Sequence, residues 1–221
     1  MSRYSAIIFD FDGTLFDTRQ AISKTLEETF RRLAVSSPDG EQVRQIISQG
    51  INLEETFRQL LPERAPDLAI EDCVQVYREI YNSGVGIEAS VPFPETPGAL
   101  AEIHDRRVPV AVVSNKGEES VLKILEFFEL RSFVDLVVAA KDEHPTKPDP
   151  RTFHDRIRPQ LGSEACERVL VVGDTDVDIR FAREIDAGAC WAAYGYGSRA
   201  KCEALGPDHV VDSPKAVAGI L

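Results

Sequence analysis

Basic residues are in short supply. The chain has 25 lysines and arginines against 37 aspartates and glutamates, a formal net charge of −12 at pH 7. Nucleic acids and anionic membrane surfaces need a basic face, so neither is an expected partner. A small anionic substrate remains compatible if a local cation opposes the overall field. No apolar stretch is long enough to span a bilayer. The opening MSRYSAIIFDFDG meets aspartates directly after a short apolar run and lacks a signal-peptide layout. Cysteines are few as well: Cys73, Cys166, Cys190 and Cys202, none at metal-finger spacing, in a 221-residue chain that needs no disulfide staples. The expectation is reduced thiols in a cytoplasmic protein. The histidines, His104, His144, His154 and His209, form no metal-ligand pattern and read as surface or packing residues. There is no internal repeat, no low-complexity tract and no signature of oligomeric state.

What the chain does have is a series of short Val-rich runs. They are Ala6–Phe9, Val108–Ser114, Val134–Ala140, Arg168–Asp174, Ala189–Tyr194 and Asp208–Val211. The middle ones are apolar on both sides of the strand alternation, as strands covered on two faces are. Helical patterns separate them: Gly117–Leu130, Asp149–Leu161 and Asp176–Ala187. Strand and helix in alternation predict an α/β fold with a Rossmann-like parallel sheet and right-handed crossovers. One gap breaks the rhythm. From Thr18 to Ser90 there is no good strand but about four helices, Arg19–Leu33, Glu41–Gln49, Leu53–Leu61 and Ile70–Asn82, separated by the turn segments Ser36–Gly40, Gln49–Asn52 and Pro62–Asp67. That is too long for a loop and reads as an inserted helical subdomain. Residues 1–17 and 91–221 then form the core, 18–90 the insert, and VPFPETPG (Val91–Gly98) the return hinge.

In an open parallel sheet, ligands bind beyond the carboxyl ends of the strands. Four ends carry polar groups here: Asp10 and Asp12; Ser114 and Asn115; the loop leading to Lys147; and Asp174, Asp176 and Asp178. Several carboxylates in one pocket repel one another unless a cation joins them. A hard, oxygen-seeking divalent ion resolves this, and Mg²⁺ is the natural choice. Such a site most often handles phosphoryl groups. An ionised Asp can attack phosphorus without a base to activate it. The leaving alkoxide needs a proton and the later water must lose one. A second carboxylate two residues on can serve both turns, which gives D-x-D a chemical reason.

At this point a family comes into view. DFDGTLFDT, VVSNK, KPDP and GDTDVDIRFAREIDAG resemble, in order and spacing, the four signature motifs of the haloacid dehalogenase-like hydrolases. The likeness spans essentially the whole chain and is strongest to the phosphoglycolate phosphatase-like proteins with a helical cap, with the tail YGYGS...L...DHVVDSP contributing. It implies a strand order of 5-4-1-2-3, a site beneath the cap, and a Mg²⁺-dependent phosphatase acting on a small phosphorylated metabolite through an aspartyl-phosphate. By matching residues it implies Asp10 as nucleophile and metal ligand. Asp12 is the acid/base, with its backbone carbonyl on the metal. Ser114 holds a phosphoryl oxygen with Asn115 beside it, and Lys147 balances negative charge. Asp174 is a metal ligand, and Asp178 supports the metal directly or through water. Asp176 has no matching role and reads as a solvent-facing or helix N-terminal residue. Ser48–Thr56 is similar to a cap segment that faces the site, which makes Gln49, Gly50 and Arg58 substrate-contact candidates.

Plainer readings stand beside these. Ser114 could be a helix N-cap ahead of Glu118 and Glu119. Lys116 and Lys141 read as surface lysines, and KPDP favours Lys147 over both. Asp174 and Asp178, at i, i+4, could be acids on one helix face. Phe127, Phe128 and Trp191 read as core. Against dehalogenation stands the acid at Asp12. Phosphonate cleavage by a Schiff base would need a cap lysine, and Lys24 is the only lysine in Arg19–Val91. A sugar-phosphate mutase and a non-catalytic phosphate-binding regulatory protein are the alternatives.

Overall fold

The apolar runs form one parallel sheet. The computed structural model describes residues 3–62, 68–141 and 144–221. Its strands are β1 (Ala6–Phe9), β2 (Phe16–Asp17), β3 (Val91–Pro92), β4 (Val110–Gly117), β5 (Leu136–Ala140), β6 (Val169–Gly173), β7 (Gly188–Ala192) and β8 (His209–Val211). Six of them pair in the order β5-β4-β1-β6-β7-β8, every pairing parallel. Counting only strands of that sheet, this is the expected 5-4-1-2-3 order with a sixth strand added beside the fifth. Strand alternation explains the apolar runs. Ile7, Phe9, Val110, Val112, Leu170 and Val172 pack into one core cluster. Their neighbours Ala6, Ile8, Ala111, Val113, Val169 and Val171 pack into a second on the other face.

Helices α1 (Arg19–Arg32), α2 (Gly40–Ile47), α3 (Leu53–Leu60), α4 (Ile70–Ile80) and α5 (Gly86–Glu88) form the insert. They lie between β2 and β3, which pair antiparallel as a two-stranded ribbon, Phe16 opposite Pro92. No periodicity marks that ribbon, because each strand is two residues long. An aromatic ladder runs through the insert: Phe30 to Phe57 at 6.0 Å, Phe57 to Tyr77 at 6.1 Å, Tyr77 to Tyr81 at 5.8 Å between ring centroids. These rings belong to the same cluster as one face of the sheet. The turn expected at Pro62–Asp67 lies, after Pro62, outside the described residues. So do two residues of the loop leading to Lys147, Asp142 and Glu143.

The remaining helices are α6 (Thr96–Asp105), α7 (Glu118–Phe127), α8 (Arg158–Leu161), α9 (Asp176–Glu184), α10 (Arg199–Ala204) and α11 (Pro214–Ala218). Several end sooner than the periodicity predicts. The helix expected over Asp149–Leu161 is a wide π-type turn at Thr152–Ile157 followed by α8, where Pro159 has no N–H to donate to the ladder. The helix expected over Ile70–Asn82 gives way after Ile80 to a wide turn holding Gly84 at φ 127°. Phe127 is 59% exposed, contrary to the expected core position. Phe128 does pack inward, 5.5 Å from Phe16. No helix among the described residues is long and apolar enough to cross a membrane.

Candidate active site

Asp10 follows the last residue of β1, and its backbone N–H donates to the Val172 carbonyl of β6 at 2.8 Å. The central strand therefore ends by placing a carboxylate at the sheet's carboxyl edge. Lys147 reaches the same point from the loop after β5. Its Nζ lies 2.7 Å from Asp10 Oδ1 and 2.6 Å from Asp178 Oδ1, and its side chain is 3% exposed. Burial works against the Lys147 charge, but Asp10 and Asp178 more than offset it and hold its pKa above the usual lysine range.

Asp178 is aimed by a capping box. Thr175 is the N-cap of α9, and its N–H and hydroxyl both donate to Asp178 Oδ2, at 3.1 and 2.9 Å. The expectation of Asp174 and Asp178 on one helix face is corrected, because α9 begins at Asp176 and Asp174 precedes the cap. The two converge because Thr175 draws Asp178 back towards the strand end. Asp174 is fully buried. Its Oδ2 accepts from Tyr196 N at 2.7 Å, its Oδ1 from the Thr14 hydroxyl at 3.5 Å, and its carbonyl from the Trp191 indole at 2.9 Å. Gly13 must be glycine on two counts: its φ is +82°, and an added Cβ would sit 2.3 Å from Asp174 Oδ2. Asp176 is the first residue of α9, as one reading expected, but it is buried and paired with Arg180 at 3.0 Å, so it does not face solvent.

Asp10, Asp174 and Asp178 each bring a carboxylate oxygen within 4.8 Å of the others. Burial, above all, raises the Asp10 pKa to about 7, helped by Asp178 and Asp12 and opposed by Lys147. Burial, with Asp10 and Asp178 adding to it, also raises Asp174 well above the ordinary carboxylate range. Three carboxylates and one ammonium leave the cluster short of positive charge. A divalent cation fits that deficit, and an all-oxygen donor set fits a hard ion. Opposite ligands of an ion coordinated at 2.0–2.1 Å lie about 4.2 Å apart, so this spacing is compatible with one ion.

Asp12 stands outside the cluster. Its Oδ1 accepts from the Thr18 hydroxyl at 2.6 Å and lies 3.3 Å from Lys116 Nζ. Lys116 is not the surface lysine the sequence suggested. Its side chain is 8% exposed, and its ammonium lies 4.0 Å from the centre of the Tyr81 ring. It lies within the irregularity between Ser114 and Gly117 that shifts the β4–β5 register, so strand alternation gave no signal for it. Ser114 does not cap α7. The N-cap is Gly117, and Ser114 Oγ accepts from Lys116 N at 3.2 Å.

Asn115 ties insert to core. Its Nδ2 donates to the Gly50 carbonyl at 3.0 Å and to the Lys147 carbonyl at 3.1 Å. Its Oδ1 is buried with no partner among the described residues. Gly50 has φ +62°, and a Cβ there would sit 2.7 Å from Thr175 Oγ1. Asp10, Asp12, Ser114, Asn115, Lys147, Asp178 and Gly50 all line one cavity of ≈ 120 Å³. Ile22, Leu26, Ile46, Leu53 and Tyr77 of the insert roof it. Gln49 and Arg58 are not among its lining residues. Gln49 hydrogen-bonds Gln59 at 3.2 Å, and Arg58 pairs with Glu55 on the surface at 3.2 Å.

The motifs, the sheet order and the strand-end carboxylates meet a direct comparison here. The model of the haloacid dehalogenase-like hydrolase family matches residues 7–192. The chain belongs to that family. Phosphoglycolate phosphatase of Aquifex aeolicus is 30% identical over 215 residues, 97% of this chain and 95% of that one. Pyrophosphatase PpaX of Halalkalibacterium halodurans is 28% identical over 95% of this chain and 93% of its own. A haloacid dehalogenase-like family hydrolase of Streptococcus pneumoniae superposes with a TM-score of 0.84 at 28% identity, covering 99% of each chain. The protein is thus an enzyme of the phosphoglycolate phosphatase-like kind within the haloacid dehalogenase-like hydrolases.

Proposed function

We propose that the protein is a Mg²⁺-dependent phosphatase that hydrolyses a small phosphomonoester through an aspartyl-phosphate on Asp10. The observation that carries this reading is the buried contact of Asp10 with Lys147 at 2.7 Å, beside the carboxylates of Asp174 and Asp178. Asp10 Oδ attacks phosphorus and the ester P–O bond breaks. Asp12 gives its proton to the departing alkoxide. Water then attacks the aspartyl-phosphate, Asp12 takes a proton from it, and the bond between phosphorus and the Asp10 oxygen breaks to release inorganic phosphate. Lys147 holds the Asp10 carboxylate in place and opposes the charge that gathers on the phosphoryl group. Ser114 and the unpartnered Asn115 Oδ1 line the same cavity, the hydroxyl as a donor to a phosphoryl oxygen and the amide oxygen as an acceptor for water.

Asp10, Asp174 and Asp178 would hold the metal through their side chains, and Asp12 through its backbone carbonyl. Bound there, Mg²⁺ neutralises two charges and fixes a phosphoryl oxygen for in-line attack. We take residues 18–90 as the cap over a core of 1–17 and 91–221. A cavity of ≈ 120 Å³ has room for on the order of ten water-sized groups. That favours a compact ester such as phosphoglycolate, the substrate in the name of the Aquifex relative. The setting we infer is cytoplasmic, with a small phosphorylated metabolite as the partner. The test is phosphate release from p-nitrophenyl phosphate and a panel of small phosphomonoesters, with Mg²⁺ and with excess chelator. Metal-dependent release from the panel supports the reading; full activity in chelator, or no release from any ester, refutes it.

A further inference from the structure

The tail motif YGYGS follows β7 and takes no part in the chemistry at Asp10, yet it is built onto the floor. Its backbone lies against Asp174. A Cβ added at Gly195 would sit 2.2 Å from Asp174 Cβ, and one at Gly197 would sit 2.0 Å from the Asp174 carbonyl oxygen. Between these glycines Tyr196 makes contacts in two directions. Its N–H donates to Asp174 Oδ2 at 2.7 Å. Its hydroxyl reaches β2, the strand by which the chain enters the insert. There it accepts from the Thr18 N–H at 2.6 Å, with Asp17 Oδ1 at 3.1 Å and the Phe16 carbonyl at 3.2 Å as acceptors for its one proton. The Arg19 guanidinium pairs with Asp17 and lies 5.1 Å from the centre of the Tyr196 ring. Thr18 passes the contact on, because its own hydroxyl donates to Asp12 Oδ1 at 2.6 Å. Tyr196 lines the cavity, but with its hydroxyl committed to β2 it offers a substrate only the ring.

We propose that Tyr196 is a positioning residue that couples occupancy of the metal site at Asp174 to the order of the strand entering the insert. This rests on the metal-binding part of the phosphatase reading and adds a link from that site to the roof. Without a cation, the carboxylates of Asp10, Asp174 and Asp178 oppose one another, and that repulsion loosens Asp174. A divalent ion removes the repulsion and fixes Asp174. The Tyr196 N–H and the loop packed on Asp174 are fixed with it, and so is the hydroxyl that bonds Thr18. Coupling between two sites is reciprocal. The factor by which metal favours the Tyr196–Thr18 contact therefore equals the factor by which that contact tightens metal binding. A metal-loaded floor and an ordered entry to the roof are then one state of the protein.

The test reads both ends of the coupling. Hydrogen exchange of the Thr18 amide, the donor to the Tyr196 hydroxyl, reports the contact, and calorimetry reports Mg²⁺ affinity. In the unsubstituted protein Mg²⁺ is expected to slow Thr18 exchange about tenfold relative to chelator, within the usual range for coupled sites. Tyr196→Phe keeps the ring and the N–H and removes only the hydroxyl. It should cut the effect of metal on Thr18 exchange to about twofold or less and weaken Mg²⁺ binding by about the same tenfold factor. Tyr194→Phe removes a hydroxyl from the same loop, one that donates to the Thr14 carbonyl at 2.7 Å and not to β2. There the effect of metal on Thr18 exchange should persist. A role in packing alone would speed Thr18 exchange in Tyr196→Phe equally with and without metal and leave Mg²⁺ affinity unchanged, and that result overturns the proposal. Equal loss of the metal effect in both variants overturns it too, since a general loosening of the loop would then suffice. If neither variant folds, the unsubstituted protein still decides. Mg²⁺ that binds without slowing Thr18 exchange removes the coupling and leaves the metal reading standing, whereas no Mg²⁺ binding at all removes both.

Discussion

The floor of the cavity and its roof are built differently. On the floor, Asp10, Lys147, Asp174 and Asp178 are buried; Lys147 bonds both Asp10 and Asp178, Thr175 caps Asp178, and the Tyr196 N–H holds Asp174. The roof is helical and largely apolar, and it meets the floor at few polar points. One is the bond from Asn115 to the Gly50 carbonyl, and another joins Ser120 to Asn82 at 2.8 Å. A buried network of charges tolerates few residue types, because each unpaired member costs several kcal/mol. An apolar roof tolerates many, because hydrophobic contact has no direction. On the proposed reading the floor carries the chemistry, and the roof and its rim are free to differ in what they admit.

The sharpest break of this comparison is Asp10→Asn. The amide cannot serve as the nucleophile, so turnover should fall by about 10⁴-fold or more, with the fold retained. Phosphate release in a continuous assay checks it. Wild-type rates in that variant would remove Asp10 from the reaction.

Next in size is Lys147→Met. It leaves Asp10 and Asp178 facing each other with no ammonium between them. Breaking a buried pair in this way costs about 3–5 kcal/mol. Urea unfolding in chelator should show the loss, and Mg²⁺ should recover part of it by replacing the missing positive charge. A cost below about 1 kcal/mol in chelator would mean that the contact does not organise the floor.

The floor also makes the metal-free protein sensitive to pH. Asp10 and Asp174 both have folded-state pKa values above the ordinary 3.8, Asp10 at about 7, chiefly because they are buried. A carboxyl raised in this way binds its proton more tightly when folded. Its contribution is complete below the unfolded pKa and is lost as pH rises through the folded one. Stability in chelator should therefore decline between about pH 4 and pH 7, and Mg²⁺ should flatten the decline. Melting temperatures at pH 5 and pH 8, with and without metal, test this. A chelated protein that is more stable at pH 8 would contradict it.

These differences also explain what was legible in the sequence. The sheet could be read because both its faces are buried, which leaves unbroken runs such as Val169–Val172. The floor could be read because its residues are few and lie next to strand ends. Lys116 was misread because Val-Val-Ser-Asn-Lys runs off the sheet with no pattern to say which way the last side chain turns, and Tyr81, which holds it, lies 35 positions earlier in the insert. Phe127 was misread for a similar reason. Helix periodicity places one of two adjacent aromatics inward, and it is Phe128 that meets Phe16. The roof residues near Gly50 could be located only as a segment, since apolar helices carry no mark of which face looks down.

At the meeting of roof and floor, Gly50→Ala should have a moderate effect. Its backbone is left-handed at φ +62°, and the new Cβ would press on Thr175 Oγ1 at 2.7 Å. A non-glycine residue held there costs roughly 1–3 kcal/mol. Because the strain lies between insert and core, KM for the preferred ester should rise, about tenfold, more than kcat falls. Gly40→Ala is the control, since its added Cβ would meet only Arg44 Nη1 at 3.6 Å. Equal kinetics for the two variants would mean that Gly50 does not set the fit of the roof.

The smallest effects belong to Gln49 and Arg58, and they separate likeness in sequence from position in space. Both lie in or beside the segment whose likeness to a site-facing cap stretch made them candidates for substrate contact. Gln49 bonds Gln59 instead, and the Arg58 side chain is 60% exposed beside Glu55. An exposed arginine–glutamate pair within one helix contributes about 0.3–0.5 kcal/mol. Gln49→Ala and Arg58→Ala should therefore change stability by no more than about 0.5 kcal/mol. They should also leave kcat/KM for the preferred ester within about twofold, since neither side chain lines the cavity. A tenfold loss in either variant would show that the roof moves during turnover enough to bring that side chain onto the substrate. The division between a charged floor and an apolar roof would then have to be drawn along the closed state of the insert.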